Sequence, residues 1–109
     1  MLIGTVVGNV WATRKDPTLT GVRFLVVQPF TLDGLPSAET IVAADPLGAG
    51  IGERVLVVFG RAARHAIGKG HDVGFQCAVS AIVDKMELQD GRMIGQVAAQ
   101  DEPAPAPKA

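Results

Sequence analysis

The feature that most restricts the fold of this sequence is its division into short runs of Val, Ile, Leu and Ala that end at Gly, Pro or Asp. Runs of this kind are typical of strands in a small all-β domain. The segment 61–67 has good helix formers and no β-branched residue before Ile67, which predicts two helical turns. We predict five strands at 2–13, 22–28, 39–44, 54–59 and 76–87, and a marginal sixth strand at 92–97.

These elements predict an all-β fold: a small five-stranded OB-like barrel with a short helix between strands 4 and 5. In the first strand, unbroken period-two alternation would place Gly4 and Gly8 on the same face as Val6. Glycines at that spacing allow the tight coiling that a small barrel requires.

The chain has 109 residues, which is the length of one domain. We expect the barrel domain to span residues 1–98 and a Pro/Ala-rich tail to span residues 99–109. The stretch 100–109 contains three prolines among alanines and charges. Such a composition cannot bury enough apolar surface to become ordered, so we predict a disordered tail.

Charge and composition exclude several classes of protein. Ten basic and eleven acidic residues leave a net charge of −1, so we expect neither nucleic acid nor a membrane surface as a partner. The lone Cys77 cannot form an internal disulfide and is typical of the reducing cytosol. No secretory signal is evident, and the longest apolar run, 55–59, is too short to span a bilayer. We therefore expect a cytoplasmic protein.

We find no catalytic, cofactor or metal motif. His65, His71, Asp72 and Cys77 are the only candidate metal ligands, and their spacing fits no familiar zinc site. The run 48–53 ends in Glu53 where a dinucleotide fingerprint needs its third glycine, and it precedes a strand. Ser80 has no base near it in sequence. The prediction is a protein that is not an enzyme and has no cofactor.

Several ordered blocks of the sequence carry a recognisable pattern: IGTVVGNVWATRK at 3–15, Leu19, Gly21, LVVQP at 25–29, AAD at 43–45, LGAGIGERVLV at 47–57 and AIVD at 81–84. Together these blocks resemble one known family, the EutN/CcmL-like pentameric vertex proteins of bacterial microcompartment shells. The resemblance covers roughly residues 1–88, whereas segment 61–76 and the tail do not follow the pattern.

This resemblance implies a structural role. Members of the family are barrel subunits that form homopentamers at the vertices of a polyhedral shell, and hexameric shell proteins of a different fold tile its flat faces. The resemblance thus implies a location in the shell, and hexameric shell proteins as partners.

Two groups of candidate site residues follow. We hypothesise that the loop Gly48, Ala49, Gly50, Ile51, Gly52 and Glu53 lies near the fivefold axis and lines a narrow pore, with Glu53 anchoring its exit. Glycine chemistry alone favours the alternative, in which the glycines only satisfy a tight connection. We predict a subunit or shell interface at Asn9, Trp11, Thr13, Arg14 and Lys15. The alternatives are that Trp11 caps the barrel core and that Arg14 and Lys15 form a solvated loop.

Two other function classes remain open from sequence. An OB-like barrel can bind nucleic acid or saccharide, but such binding needs aromatic side chains above a basic groove. The chain has five aromatic residues in all: Trp11, Phe24, Phe30, Phe59 and Phe75. An enzyme with a site between subunits is the other class, and it lacks a candidate acid–base pair.

Overall fold

Seven strands and one α-helix occur in the computed structural model, which describes residues 1–12, 21–30, 39–67 and 77–102. A short 3-10 helix, Ala98–Gln100, follows the last strand. The elements in chain order are β1 (Leu2–Val10), β2 (Phe24–Pro29), β3 (Ile41–Ala44), β4 (Arg54–Phe59), α1 (Gly60–Ile67), β5 (Cys77–Ile82), β6 (Lys85–Glu87) and β7 (Met93–Gly95).

The first five strands close into a barrel in the order β1-β2-β3-β5-β4. Neighbouring strands are antiparallel, except that β3 and β5 meet in parallel at Ala44 and Ala78. Helix α1 lies between β4 and β5 in the chain. This confirms the predicted all-β barrel with a short helix between its fourth and fifth strands.

The barrel encloses a core of small and branched side chains. Strand alternation turns every second residue inward, and burying each valine or leucine there contributes about 1.5–3 kcal/mol. On the outer face of the barrel wall, Ala44, Val58 and Ala78 pack against Ala63 of α1. The inner core consists of Val6, Leu25, Val27, Ala43, Ala49, Val55, Val57 and Val79.

A β-bulge at Val7 changes which face of β1 points inward. Val6 pairs with Val27, but the next pair joins Gly8 to Val26. Because paired residues share a face of the sheet, Val6 points into the core and Gly8 lies on the outer face. The expectation that Gly4 and Gly8 share a face is therefore wrong, since the extra residue reverses the alternation.

Gly4 is required for the close approach of β1 and β2. A Cβ atom at this position would lie 2.6 Å from Val27 Cγ1 and 2.8 Å from the Gln28 carbonyl oxygen. Both distances are shorter than real contacts. The barrel can close this tightly because position 4 has no side chain.

Strands β2 and β3 each begin two residues later than predicted, and the predicted strand boundaries differ most in two other places. Strand β1 ends at Val10, before the predicted limit at residue 13. The predicted fifth strand is two strands, β5 and β6, because the chain bends at Asp84. Strand β6 pairs with β7 in a separate hairpin, so the marginal sixth strand is paired within its own chain.

Residues 99–102, which the sequence assigned to the tail, pack on the barrel. The Glu102 N–H donates to the Met93 carbonyl at 2.9 Å, and Asp101 binds Arg54 of β4. This partner is 47 residues away in sequence, so composition did not reveal it. The predicted disorder remains a prediction for residues 103–109, which lie outside the described residues.

Within the described ranges, no helix combines the length and the apolar character needed to cross a membrane.

Candidate functional site

The loop between β3 and β4 begins at a buried carboxylate. Asp45 Oδ1 accepts the N–H groups of Leu47 at 2.9 Å and Gly48 at 3.1 Å, and Oδ2 accepts the N–H of Ala49 at 2.8 Å. The Asp45 side chain has no exposed surface. Gly48 has a φ of +84°, which favours glycine. These bonds give the first half of the loop one defined shape.

Asp45 also connects the loop to the end of β1. Arg23 Nη1 lies 3.3 Å from Asp45 Oδ2, and Arg23 Nη2 donates to Asn9 Oδ1 at 3.2 Å. The Asp45 N–H donates to the Arg23 carbonyl at 2.8 Å. Since the Arg23 side chain is half exposed, its ion pair contributes less than about 1 kcal/mol. Its effect is to tie the two predicted groups of site residues together.

A tight turn forms the second half of the loop. The Glu53 N–H donates to the Gly50 carbonyl at 3.1 Å. Gly52 has a φ of +93° at the third position of this turn, where a type II turn requires glycine. Glu53 Oε1 accepts the Gly50 N–H at 2.6 Å, and the Gly52 N–H donates to the Val6 carbonyl at 2.7 Å. The turn projects Ile51, which is 65% exposed.

Arg54 is the buried charge at the exit of the loop. Its two terminal nitrogens donate to the two carboxylate oxygens of Asp101, each at 2.7 Å. Nη1 also donates to the Gly95 carbonyl and Nε to Thr5 Oγ1, both at 3.1 Å. The guanidinium lies 5.5 Å from the centroid of the Phe30 ring. Arg54 therefore joins β1, β4 and the C-terminal segment in one contact.

The environment of Asp101 favours its charged form. Burial raises the pKa of the carboxyl. Hydrogen bonds from the Arg54 guanidinium and the Gly95 N–H, together with the positive charges of Arg54 and Arg92, outweigh that effect and lower the pKa. The Asp101 carboxyl is thus ionised at neutral pH.

The predicted loop residues fall into two groups. Ala49 is fully buried in the barrel core, so its side chain faces no pore. Gly50, Gly52 and Glu53 are half-buried, and Gly48 and Ile51 are exposed. The positive φ of Gly48 and Gly52 supports the alternative of a tight connection for these two residues. A single chain does not contain a fivefold axis, so the nearness of the loop to that axis stays a prediction.

The predicted interface residues are only partly described. Asn9 pairs with Leu25 at the end of β1 and accepts a bond from Arg23. Trp11 is 86% exposed, so it does not cap the barrel core. Thr13, Arg14 and Lys15 lie outside the described residues.

Sequence reasoning missed an apolar outer face on β1, β2 and β3. Val42 pairs with Val26, and Val26 pairs with Gly8, so the three lie side by side on the outside of the barrel. Val42 is 50% exposed, and Val7 and Val10 of β1 are also exposed. The available signal was the presence of valine at positions on both faces of these strands, which an isolated barrel does not need.

The described side chains contain no group of three or more His, Cys, Asp or Glu arranged to hold a metal. Of the four candidate ligands, only Cys77 has a described side chain. The side chains of His65, His71 and Asp72 lie outside the part of the chain that the structure describes. Cys77 packs against the barrel core, and burial raises the pKa of its thiol. A raised pKa reduces the thiolate fraction that metal binding requires.

Comparisons with known proteins give a consistent result. The family described as "Ethanolamine utilisation protein EutN/carboxysome" matches residues 1–84. The carboxysome shell vertex protein CcmL of Thermosynechococcus vestitus is 52% identical over 86 residues, which are 77% of this chain and 84% of that protein. The microcompartment shell vertex protein GrpN of Rhodospirillum rubrum is 42% identical, over 80% of this chain and 97% of that protein.

Solved structures show the same likeness. CcmL of Nostoc sp. PCC 7120 matches with a TM-score of 0.78 and 39% sequence identity, and the match covers 88% of this chain and 99% of the CcmL chain. GrpN of Rhodospirillum rubrum, described as a pentameric microcompartment shell protein, has a TM-score of 0.72 and 38% identity, and covers 81% of this chain and 99% of its own. On the match to residues 1–84, this chain belongs to the EutN/CcmL family.

Proposed function

We propose that this protein is a structural subunit of a bacterial microcompartment shell and that it forms homopentamers that cap the shell vertices. The observation that carries the proposal is the family match over residues 1–84, together with relatives of 42–52% identity that are named shell vertex proteins. Two solved relatives of the same fold are described as pentameric.

The role is geometric. A flat sheet of hexameric shell proteins cannot close into a polyhedron, and five-sided units at the corners supply the missing curvature. Five identical barrels close into a ring when one patch on each subunit meets a different patch on the next. Hexameric shell proteins are the expected partners at the rim of the ring, and the shell is the expected location.

We expect the exposed apolar residues near the end of β1 to form one side of the subunit contact. Trp11 and Val42 expose large apolar surfaces that a monomer would leave in water. Tryptophan is a preferred anchor of protein interfaces. Asn9, held by Arg23, borders this surface, and the chain continues from it into Thr13, Arg14 and Lys15, which we propose face a neighbouring subunit or a hexamer.

The loop at residues 48–53 is the proposed axial segment. Its exposed members are Gly48 and Ile51, and the three glycines of the loop reduce the bulk that five copies must accommodate near an axis. Ala49 contributes by anchoring the loop in the barrel core. Any pore would therefore be lined by backbone and by Ile51.

We propose no catalytic role for the protein. Its relatives are named as shell vertex proteins, and we expect catalysis to belong to enzymes enclosed by the shell.

Native mass spectrometry tests the assembly. We expect a species of five times the 11.3 kDa subunit mass. Trp11→Ala should dissociate this species at concentrations where Gln89→Ala, a change in the exposed β6–β7 turn, leaves it intact. A wild-type protein that stays monomeric at every concentration, with or without hexameric shell protein, would refute the proposal.

A charge placed on the loop tests its position. Ile51→Glu would bring five carboxylates together at the axis, so the pentamer should weaken at low salt and recover at high salt, where the Debye length falls to about 3 Å at 1 M. Gln89→Glu adds the same charge in the exposed turn. Equal salt dependence of the two variants would place the loop away from the axis.

A further inference from the structure

The loop exit is bonded to a segment that lies beyond the family match. The match ends at residue 84, and strand β7 begins at Met93, nine residues further along the chain. Arg54 donates its N–H to the Gln96 carbonyl at 2.9 Å and binds Asp101 through both terminal nitrogens. The Glu53 carboxylate accepts a hydrogen bond from the Gln96 side chain, so two consecutive loop-exit residues, Glu53 and Arg54, have partners in residues 93–102.

The segment 93–102 is itself folded into a compact unit. The Gly95 N–H donates to Asp101 Oδ1 at 3.0 Å and the Gln96 N–H to Gln100 Oε1 at 2.9 Å. A Cβ atom on Gly95 would collide with the Gln100 side chain. The 3-10 helix therefore folds back closely against β7, and this places Asp101 within reach of Arg54.

A chain of hydrogen bonds runs from this segment into the turn of the loop. Gln96 Nε2 donates to Glu53 Oε2 at 2.5 Å. The other oxygen of the same carboxylate, Oε1, accepts the Gly50 N–H at 2.6 Å. Glu53 can hold Gly50 in place only while its own side chain is fixed, because a long flexible side chain loses rotamer freedom when it is ordered. Gln96 supplies that restraint.

We propose that residues 93–102 act as a clamp that sets the conformation of the exposed loop, and that Gln96 is the positioning residue, acting through Glu53 on Gly50. The clamp orients Ile51, the apex that we place near the fivefold axis, so its role in assembly rests on the proposed function. The contact itself lies within one chain and does not depend on the ring.

Exchanging the two partners tests the clamp. Gln96→Glu puts a second carboxylate beside Glu53, and the two anions repel. The double variant Glu53→Gln, Gln96→Glu restores the pair in reverse, because the new amide can donate to residue 96 while its oxygen still accepts the Gly50 N–H. Gln96→Ala removes the bond without adding charge, which keeps the test informative if Gln96→Glu folds poorly. Gln89→Glu is the matched control in the exposed turn.

The measurement is amide hydrogen exchange in peptides that cover residues 46–54 of the full-length protein. We expect exchange to be about tenfold faster in Gln96→Glu and about fivefold faster in Gln96→Ala, as the loss of one charge-assisted hydrogen bond implies. The double variant should return to within about twofold of wild type. The clamp would be overturned if both single variants exchanged at the wild-type rate, or if exchange in the double variant stayed as fast as in Gln96→Glu.

Native mass spectrometry of the same samples separates the two proposals. Recovery of exchange in the double variant of a protein that forms no pentamer would contradict the proposed function and uphold the clamp. If the wild type formed pentamers but the variants did not show faster exchange that recovers in the double variant, the clamp alone would be contradicted.

Discussion

Replacing Asp101 by Asn should destabilise the protein through one partly buried contact. The substitution keeps the size of the side chain and removes its charge. One of the two 2.7 Å bonds from Arg54 then loses its acceptor, because the new amide nitrogen is a donor and faces another donor. Arg54, whose side chain is only 8% exposed, keeps its charge without a carboxylate.

The expected magnitude lies between two limits. Breaking a fully buried ion pair by removing one partner costs about 3–5 kcal/mol, whereas exposed pairs contribute less than about 1 kcal/mol. The Asp101 side chain is 27% exposed, and Asn retains one acceptor. We therefore expect a loss of about 2–3 kcal/mol in the free energy of unfolding. For a domain of this size, this lowers Tm by about 10–20 °C.

Thermal unfolding at pH 7 and one fixed protein concentration measures this loss, since assembly makes Tm depend on concentration. Asp84→Asn is the control: Asp84 is exposed at the bend between β5 and β6, so we expect a change below about 0.5 kcal/mol. If Asp101→Asn were as stable as this control, Arg54 would not depend on Asp101 and the reasoning would be refuted.

The same pair gives a pH dependence of known sign. The pKa of Asp101 is lowered below its ordinary value of 3.8 in the folded protein. Its contribution to stability is therefore fully present above about pH 4 and is lost as the pH falls through the lowered pKa. The difference in stability between wild type and Asp101→Asn should be constant from pH 5 to 8 and shrink below pH 4. A difference that grows on acidification would contradict the assigned ionisation.

Two further predictions concern the barrel. Gly4→Ala should lower the free energy of unfolding in urea by about 1–3 kcal/mol, because the new methyl group would lie 2.6 Å from Val27. Gly8→Ala should change it by less than about 1 kcal/mol, because the new methyl group meets only Val26, at 3.7 Å. Equal effects of the two substitutions would contradict the described register. Cys77 should react with Ellman's reagent at pH 8 at least about threefold more slowly than a cysteine peptide, because burial raises the pKa of its thiol above 9.0. Urea should abolish the difference, and a native thiol that reacts as fast as the peptide would show that it is not buried.

Some features of the candidate site are set by residues close in sequence, and others by segments that are distant in sequence. The turn at residues 50–53 could be read from sequence, because Gly52 sits where a type II turn needs a positive φ and the capping Glu53 is only three residues from Gly50. The burial of Ala49 and the exposure of Trp11 could not be read. Both depend on where the barrel wall runs, and neighbours in sequence carry no information about that.

The sequence by itself determined the all-β class and the approximate positions of the strands, because runs of Val, Ile and Leu with Gly, Pro and Asp at the turns are a local pattern read within about ten residues. Tertiary structure decided the rest. The bulge at Val7 turned Gly8 outward, and Arg54 found Asp101 across 47 residues of sequence. A hydrogen bond or an inward-facing side chain depends on which distant segments meet in space, and that is determined only when the whole barrel closes.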